Sequence, residues 1–409
     1  MDKPIFTQKK KSPSLYKIIA ALLAVLVLAY GGLYAYQMYE GNTSRQIAEA
    51  APSTVTEAAG LIQQGDYAMA RDMLTPMIQH IDHPALASKA LTLLAKLEQK
   101  TGNLTQARDY YRRAVTELPD NSEQPVAQVA YARFLEDQGD TSEAQRLYEA
   151  VRSSAPPEMR APALTGLGRI EEADGNLEQA LQLYRQAVEE AAWDSDPWNE
   201  ALDRMGALNV ELIFSQSPTT ESDVYVVERG DNLTEIGKKL NTTQGLLTRA
   251  NGLNEDSVLR VGDRLKITRK DFKIVVERST NRLFLFDGNG LFKRYYVGLG
   301  RDNHETALGG YRIGNKQENP DWFKPGEGRI PFGDPRNELG TRWMPLVPEA
   351  EDLPRDLGIH GTFEPESIGK FSSSGCARLI NEEVEELYDL VVRATPVDIV
   401  HVLDPEDIG

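Results

Sequence analysis

The chain has a single cysteine among 409 residues. A lone thiol cannot close an intramolecular disulfide, and it leaves no thiolate cluster for a structural zinc. What remains is an inert buried thiol, an intermolecular partner or a nucleophile. Positive charge is in deficit as well: 45 Lys and Arg stand against 62 Asp and Glu, giving a formal charge of -17. That balance argues against non-specific nucleic-acid binding, while leaving room for local basic patches. No phosphate-binding loop, dinucleotide fingerprint or metal-ligand cluster is present, so neither a cofactor nor a metal is expected.

Charge is missing altogether from Ile18 to Tyr36, a run of nineteen residues. As a helix it spans about 28 Å, close to the hydrocarbon thickness of a bilayer. Lys9, Lys10, Lys11 and Lys17 precede it, and Tyr30, Tyr34 and Tyr36 gather at its far end. The basic flank places the N-terminus in the cytoplasm and the aromatics at an interface. The expectation is a cytoplasmic basic tail (1–17), a single transmembrane anchor (18–36), and an extracytoplasmic remainder, periplasmic or cell-surface. The alternative is a cleaved signal peptide, whose apolar core is about 7–15 residues and ends at a small-residue site that this run lacks. Either way the rest of the chain lies outside the cytoplasm, where the absence of structural disulfides is unusual.

After a short polar linker (41–53) comes a repeat marked by glycine. Gly65, Gly102, Gly139 and Gly175 are spaced 37, 37 and 36 residues apart. Five residues after each stands Ala70, Ala107, Ala144 or Ala180, and nine after each Leu74, Tyr111, Tyr148 or Tyr184. The pattern predicts stacked helical hairpins over 54–214: glycine ends one helix in a left-handed conformation, alanine allows close approach, and the large group fills the space between units. These residues resemble the tetratricopeptide repeat family, with a slightly longer period and without its leading Trp. Asp194–Phe214 reads as a capping helix around Trp198, Leu202, Met205 and Leu208. The repeats imply a spacer or a surface for protein partners.

A second linker (Ser215–Ser222) leads to a compact segment, 223–268. Alternation at Val224–Val227 predicts a strand, and Glu228–Leu233 a turn with Asp231 as helix cap. Two short helices and a return strand over Leu259–Ile267 follow. The strand–helix–helix–strand order, with Gly230-Asp231-Asn232-Leu233, Ala250-Asn251-Gly252-Leu253 and Val261-Gly262-Asp263-Arg264-Leu265, resembles the LysM family. That resemblance implies binding of N-acetylglucosamine-containing glycan such as peptidoglycan, between Asp231, Asn232, Leu233 and Thr234 on one loop and Asn251, Gly252 and Leu253 on the other.

From Phe272 the pattern turns to β, with strands over 272–277, 281–286, 294–299, 309–313 and 397–402. Asp287-Gly288-Asn289-Gly290 forms a hairpin turn. Residues 315–340 read as a long functional loop, and 382–392 as a helix. An antiparallel β domain with one helix is expected over 272–403. The overall class is therefore multidomain: transmembrane helix, all-α repeats, small βααβ module, mainly-β domain.

The thiol sits in this last domain, in Ser373-Ser374-Gly375-Cys376-Ala377-Arg378, with His360-Gly361-Thr362 sixteen residues before Cys376. A thiol attacks an acyl carbon as thiolate, and an imidazole can accept its proton, forming an ion pair, and later return the proton to the leaving amine. Backbone N–H groups at Gly375 and Cys376 can stabilise an oxyanion. Arg378 can fork onto a substrate carboxylate. These segments, with Thr306–Tyr311 and Leu339-Gly340-Thr341-Arg342-Trp343, resemble the YkuD-type L,D-transpeptidase family. Ser374 stands where the family commonly has His, so the resemblance leaves fine orientation there to Ser374 as a hydrogen-bond donor. The resemblance implies Cys376 as nucleophile, His360 as base, and Gly375, Ser374, Arg378 and Gly361 as oxyanion or substrate contacts. The implied reaction is acyl transfer from a tetrapeptide stem, releasing D-Ala, to an amine, forming a cross-link. Water as acceptor would make an L,D-carboxypeptidase, and a protein amine an attachment enzyme. A wall-binding scaffold without catalysis is the alternative of a different class.

Overall fold

Glycine ends the helices where the spacing requires. The computed structural model describes residues 15–404 except 81, 82, 119, 255 and 325; the side chains of 15–24, 40–45, 47–48 and 79–80 also lie outside the description. The helices are α1 (Leu15–Gln64), α2 (Tyr67–Leu74), α3 (Met77–His80), α4 (Pro84–Lys100), α5 (Leu104–Thr116), α6 (Gln124–Asp137), α7 (Thr141–Ser154), α8 (Pro157–Ala173), α9 (Leu177–Glu190) and α10 (Asp196–Phe214). Gly65, Gly102, Gly139 and Gly175 follow α1, α4, α6 and α8 with φ between 81 and 85°, a region closed to most L-residues. The four alanines and the four large residues of the repeat are all buried.

The chain divides into two compact units, Met1–Leu147 and Tyr148–Gly409. In the first, Ala51, Val55, Ala58 and Ile62 of α1 pack with Ala70, Leu74 and Leu94. The expected linker at 41–53 is therefore helical, a correction. Its alanines favour helix, and Thr54 and Thr56 donate to the Ala50 and Pro52 carbonyls at 2.9 Å each. Among the described residues no helix is long and apolar enough to cross a membrane. The expected anchor at 18–36 is thus not recovered there; residues 1–14 and the side chains up to 24 lie outside the description.

In the second unit, β1 (Ser222–Val226), α11 (Leu233–Leu240), α12 (Gln244–Asn251) and β2 (Arg264–Thr268) form the small module, with β1 and β2 antiparallel. Asn232, not Asp231, caps α11, its side chain accepting from the Glu235 N–H.

The β domain contains β3 (Lys273–Glu277), β4 (Arg282–Asp287), β5 (Gly290–Tyr296), β6 (Leu299–Gly300), β7 (Gly309–Ile313), β8 (Gln317–Glu318), β9 (Trp322–Lys324), β10 (Gly328–Ile330), β11 (Arg342–Pro348), β12 (Gly358–His360), β13 (Phe371–Ser373), β14 (Ala377–Arg378), α13 (Asn381–Leu390) and β15 (Pro396–Val400). The main sheet runs β14-β12-β11-β7-β15-β3-β4-β5. It is mixed rather than purely antiparallel, because β15 pairs parallel to β3 and β12 parallel to β14. The segment read as a loop at 315–340 holds β8 and the β9–β10 hairpin.

Strands β3 and β4 are buried on both faces. Ile274, Val276, Leu283 and Leu285 face a core shared with α13 and with Leu246 and Ala250 of α12. Val275, Phe284 and Phe286 face the opposite way, into Tyr184, Trp198, Leu202, Met205 and Leu208 of α9 and α10. The last helices are a third layer over the sheet. Polar contacts pin the layer: Asn209 donates to the Phe292 carbonyl at 2.8 Å, and Arg294 pairs with Asp203 at 2.6 Å.

On α8, a Cβ at Gly166 would collide with the Tyr148 ring and one at Gly168 with the Tyr184 ring. Alanine normally stabilises a helix by about 1 kcal/mol over glycine, but both rings are fully buried. Gly168→Ala is therefore expected to destabilise the protein by roughly 1–3 kcal/mol. Gly60→Ala in α1, where a Cβ meets nothing within 4 Å, is expected to be neutral or stabilising. Urea unfolding of the two variants checks the opposite signs.

Candidate active site

Parallel pairing of β12 with β14 places Ile359 opposite Ala377 and His360 opposite Arg378. The Leu379 N–H donates to the His360 carbonyl at 2.9 Å, and Arg378 exchanges backbone bonds with Gly298 at 2.8 and 2.9 Å. Cys376 immediately precedes β14, in which Arg378 lies opposite His360 and on the same face of the sheet edge.

The turn before the thiol is held by Ser373, which is buried. Its hydroxyl donates to the Cys376 carbonyl at 2.7 Å and accepts the Gly375 N–H at 3.1 Å. Gly375 has φ of 125°, which an L-residue adopts only with strain. Because Ser373 occupies the Gly375 N–H, that group is not free for an oxyanion. The Cys376 N–H has no acceptor among the described residues and is the available donor. Ser374 is exposed and makes no hydrogen bond among the described residues; the ordering hydroxyl is that of its neighbour.

Cys376 keeps part of its surface exposed, and its thiol lies 3.8 Å from the Asp356 carbonyl. Burial pushes the thiol up to about 11, against the lowering influence of the Gly358 backbone and the Arg378 charge. His360 is 3% exposed, and burial lowers its imidazole to about 4, helped by the Arg378 charge and opposed by the Gly361 and Leu339 backbones. Nδ1 lies 2.7 Å from that carbonyl, so the neutral ring donates there and presents Nε2 as acceptor. No Cys376–His360 hydrogen bond exists among the described residues. Both shifts favour the neutral thiol and the neutral imidazole near pH 7.

Arg378 is 7% exposed and already paired, with Glu338 at 2.8 Å and Glu364 at 3.9 Å. Both carboxylates are largely solvent-exposed, so a substrate carboxylate can exchange with them. Asn381, at the start of α13, went unnoticed in the sequence. Its Oδ1 accepts the Thr341 N–H at 3.1 Å. A Cβ on either Gly340 or Gly361 would collide with that oxygen. Asn381 thereby sets the backbone of Gly361, whose carbonyl orients His360. Trp343, opposite His360 on β11, packs its ring 5.7 Å from the imidazole.

In the small module, Asp231 accepts from the Tyr225 hydroxyl at 2.7 Å and the Glu228 N–H at 2.8 Å. Asn251 bonds Lys266 and Leu247, and Leu233 lies in the core with Leu253 against it. Thr234 donates to Gln244 at 3.3 Å, and Gly252 sits beneath the Gln216 side chain. The two loops do come together, but Asp231, Asn232, Leu233 and Asn251 serve the module's own fold.

Residues 271–399 match the L,D-transpeptidase catalytic domain, 225–268 the LysM domain, and 16–203 a tetratricopeptide repeat-like domain. An L,D-transpeptidase homologue from Bacillus subtilis, YqjB, is 36% identical over 124 residues, covering 30% of this chain and 68% of that protein. The YkuD homologue of Bacillus licheniformis is 32% identical over 183 residues, covering 43% and 98%. The chain belongs to the L,D-transpeptidase family. Among solved structures, an Enterococcus faecium L,D-transpeptidase aligns at 21% identity over 32% of this chain and 50% of that chain, with a TM-score of 0.26. That score is too low to add to the sequence matches.

The L,D-transpeptidase domain thus carries its one thiol immediately before β14, the strand that pairs with the strand of His360. Free of substrate, Cys376 is expected to react with iodoacetamide at pH 7 more slowly than a free thiol, with a rate that climbs toward pH 11 as the thiol ionises. A pH series of alkylation rates checks this. Asn381→Ala is expected to lower kcat by roughly 10–100-fold with little change in KM. Active-site titration separates that effect from a loss of folded enzyme.

Proposed function

We propose that this L,D-transpeptidase is an extracytoplasmic peptidoglycan cross-linking enzyme that works through a Cys376 thioester. His360 Nε2 takes the thiol proton as Sγ attacks the carbonyl preceding the terminal D-Ala of a tetrapeptide stem. The proton then passes to the departing D-Ala amine as the C–N bond breaks, leaving the acyl group on sulfur. An acceptor amine attacks the thioester carbonyl, gives up a proton to His360, and displaces the sulfur, which is reprotonated. The Cys376 N–H stabilises the oxyanion in both steps, and Arg378 receives a stem carboxylate.

The observation that carries this reading is the pairing of β12 with β14, which brings the only thiol to the edge that holds His360, inside the family-matched domain. A neutral resting pair suits a mechanism in which proton transfer accompanies attack, and it protects an unpaired thiol from oxidation before substrate arrives.

Membrane anchorage belongs to the same proposal. Its support is the uncharged run Ile18–Tyr36 together with the exposure of Val25, Leu26, Val27, Leu28, Leu33 and Tyr34, each more than half exposed. Apolar surface on all sides of one helix calls for an apolar environment. The LysM module would hold glycan near the active site and raise its local concentration, while the helical repeats offer a surface to protein partners.

Incubation of the protein with disaccharide-tetrapeptide, followed by mass spectrometry, tests the reaction. Release of D-Ala with dimer formation is expected. Release without dimers points to water as acceptor. Cys376→Ala and His360→Ala are each expected to lower D-Ala release by at least about 100-fold; undiminished release from Cys376→Ala would falsify the mechanism.

A further inference from the structure

A cleft of about 770 Å³ separates the LysM module from the catalytic domain. One wall is the α11–α12 region, with Thr234, Asn241, Thr242, Gln244 and Thr248; the other is formed by β8, the start of β11 and the end of α13. The walls are fastened at the floor. Thr243 donates to the Asp389 carbonyl, and Arg249 pairs with the Asp389 carboxylate at 3.2 Å.

The charge in this cleft runs against the rest of the chain. Lys238, Lys316, Arg342 and Arg393 line it against Glu318 and Asp389, with Lys238 also paired to Glu235 at 2.9 Å, in a protein of formal charge -17. Asp389 is already committed to Arg249. Lys316 caps the end of α13, donating to the Tyr388 and Val391 carbonyls at 2.5 and 2.7 Å. Arg342 keeps spare donors: one Nη donates to the Thr341 carbonyl at 2.9 Å, its Nε is buried without a partner, and its carboxylate neighbours Glu318 and Glu385 stand at 3.9 and 3.8 Å. Arg393 makes no ion pair or hydrogen bond among the described residues. Two guanidinium groups with spare donors therefore face a wall of hydroxyls and amides. A planar fork with open donors selects carboxylate, and convergent hydroxyl and amide groups select a polyhydroxylated ligand.

We propose that this cleft is a second substrate-binding site, one that takes a carboxylate-bearing glycopeptide with its sugars against the LysM wall and its carboxylates on Arg342 and Arg393. The inference rests on the peptidoglycan reading above and adds a site to it. The cleft is separate from the thiol. Trp343 shares the face of its partner His360, so the adjacent Arg342 points to the other face of the sheet. A ligand here is held on the α13 side and is not the stem under attack, which makes the cleft a tether for the wall polymer.

The full chain carrying Cys376→Ala, which stops turnover, is titrated calorimetrically with disaccharide-tetrapeptide and with neutral chitotetraose. Adding Arg342→Gln with Arg393→Gln, or separately Lys238→Glu, is expected to weaken disaccharide-tetrapeptide binding about tenfold or more and leave chitotetraose binding within about twofold. Unchanged disaccharide-tetrapeptide affinity in both variants overturns the inference, as does an equal loss for chitotetraose or no binding of disaccharide-tetrapeptide by the Cys376→Ala chain. The same cleft substitutions in the Cys376-containing chain separate the two readings: D-Ala release together with parent-like binding rejects the cleft alone, whereas lost binding without any D-Ala release from the parent rejects the reaction alone.

Discussion

The second unit depends on a sheet that is apolar on both faces. Ile274-Val275-Val276 and Leu283-Phe284-Leu285-Phe286 send alternate side chains to opposite sides, so neither face can be left to water. One side is closed by α13 and part of the LysM module, the other by α9 and α10. The helical hairpin next to the catalytic domain is thus part of its core. Its fixed position in turn sets the LysM module, because Lys266 of β2 donates to the Leu212 and Ser215 carbonyls at the end of α10, at 2.8 and 2.7 Å. A buried lysine at a helix C-terminus gains from both the open carbonyls and the helix dipole.

The active site sits at the far edge of that sheet, where the strands are shortest. Its order comes from hydrogen bonds rather than from bulk. Ser373 shapes the turn before the thiol, Asn381 wedges between Gly340 and Gly361, and the Gly361 carbonyl chooses the imidazole tautomer. Each is a contact made by a buried or partly buried polar group, and each is satisfied. Cys376 and His360 differ. Both are desolvated and neutral, with the thiol held up near 11 and the imidazole down near 4. Burial therefore disfavours the ionised form of both groups.

Much of this was legible in the chain. Period and punctuation located the helical hairpins, because a left-handed glycine, a small residue and a large one recur at fixed offsets. The LysM elements followed from caps and alternation. The motif around Cys376 and His360 located the candidate site. What escaped notice had a weak local signal. Strand β11 begins at Arg342-Trp343 and carries Pro345 and Pro348, so it reads poorly as a strand. The short strands β8 to β10 are rich in glycine and polar residues. The helix through 41–53 was hidden by polar residues and Pro52, since its formation depends on Ala51, Val55 and Ala58 finding a core.

The sequence by itself determined which elements form and which residues could do chemistry, because helix ends, strand alternation and the rarity of a thiol are local or compositional facts. Only the tertiary structure decided what those residues are free to do. It assigned the Gly375 N–H to Ser373, paired Arg378 with Glu338, spent Asp231 and Asn251 on the LysM fold, and left Arg342 and Arg393 open in a cleft between modules. Such assignments depend on which groups meet across long stretches of chain, and on how much water remains around them. Neither is encoded at any one position.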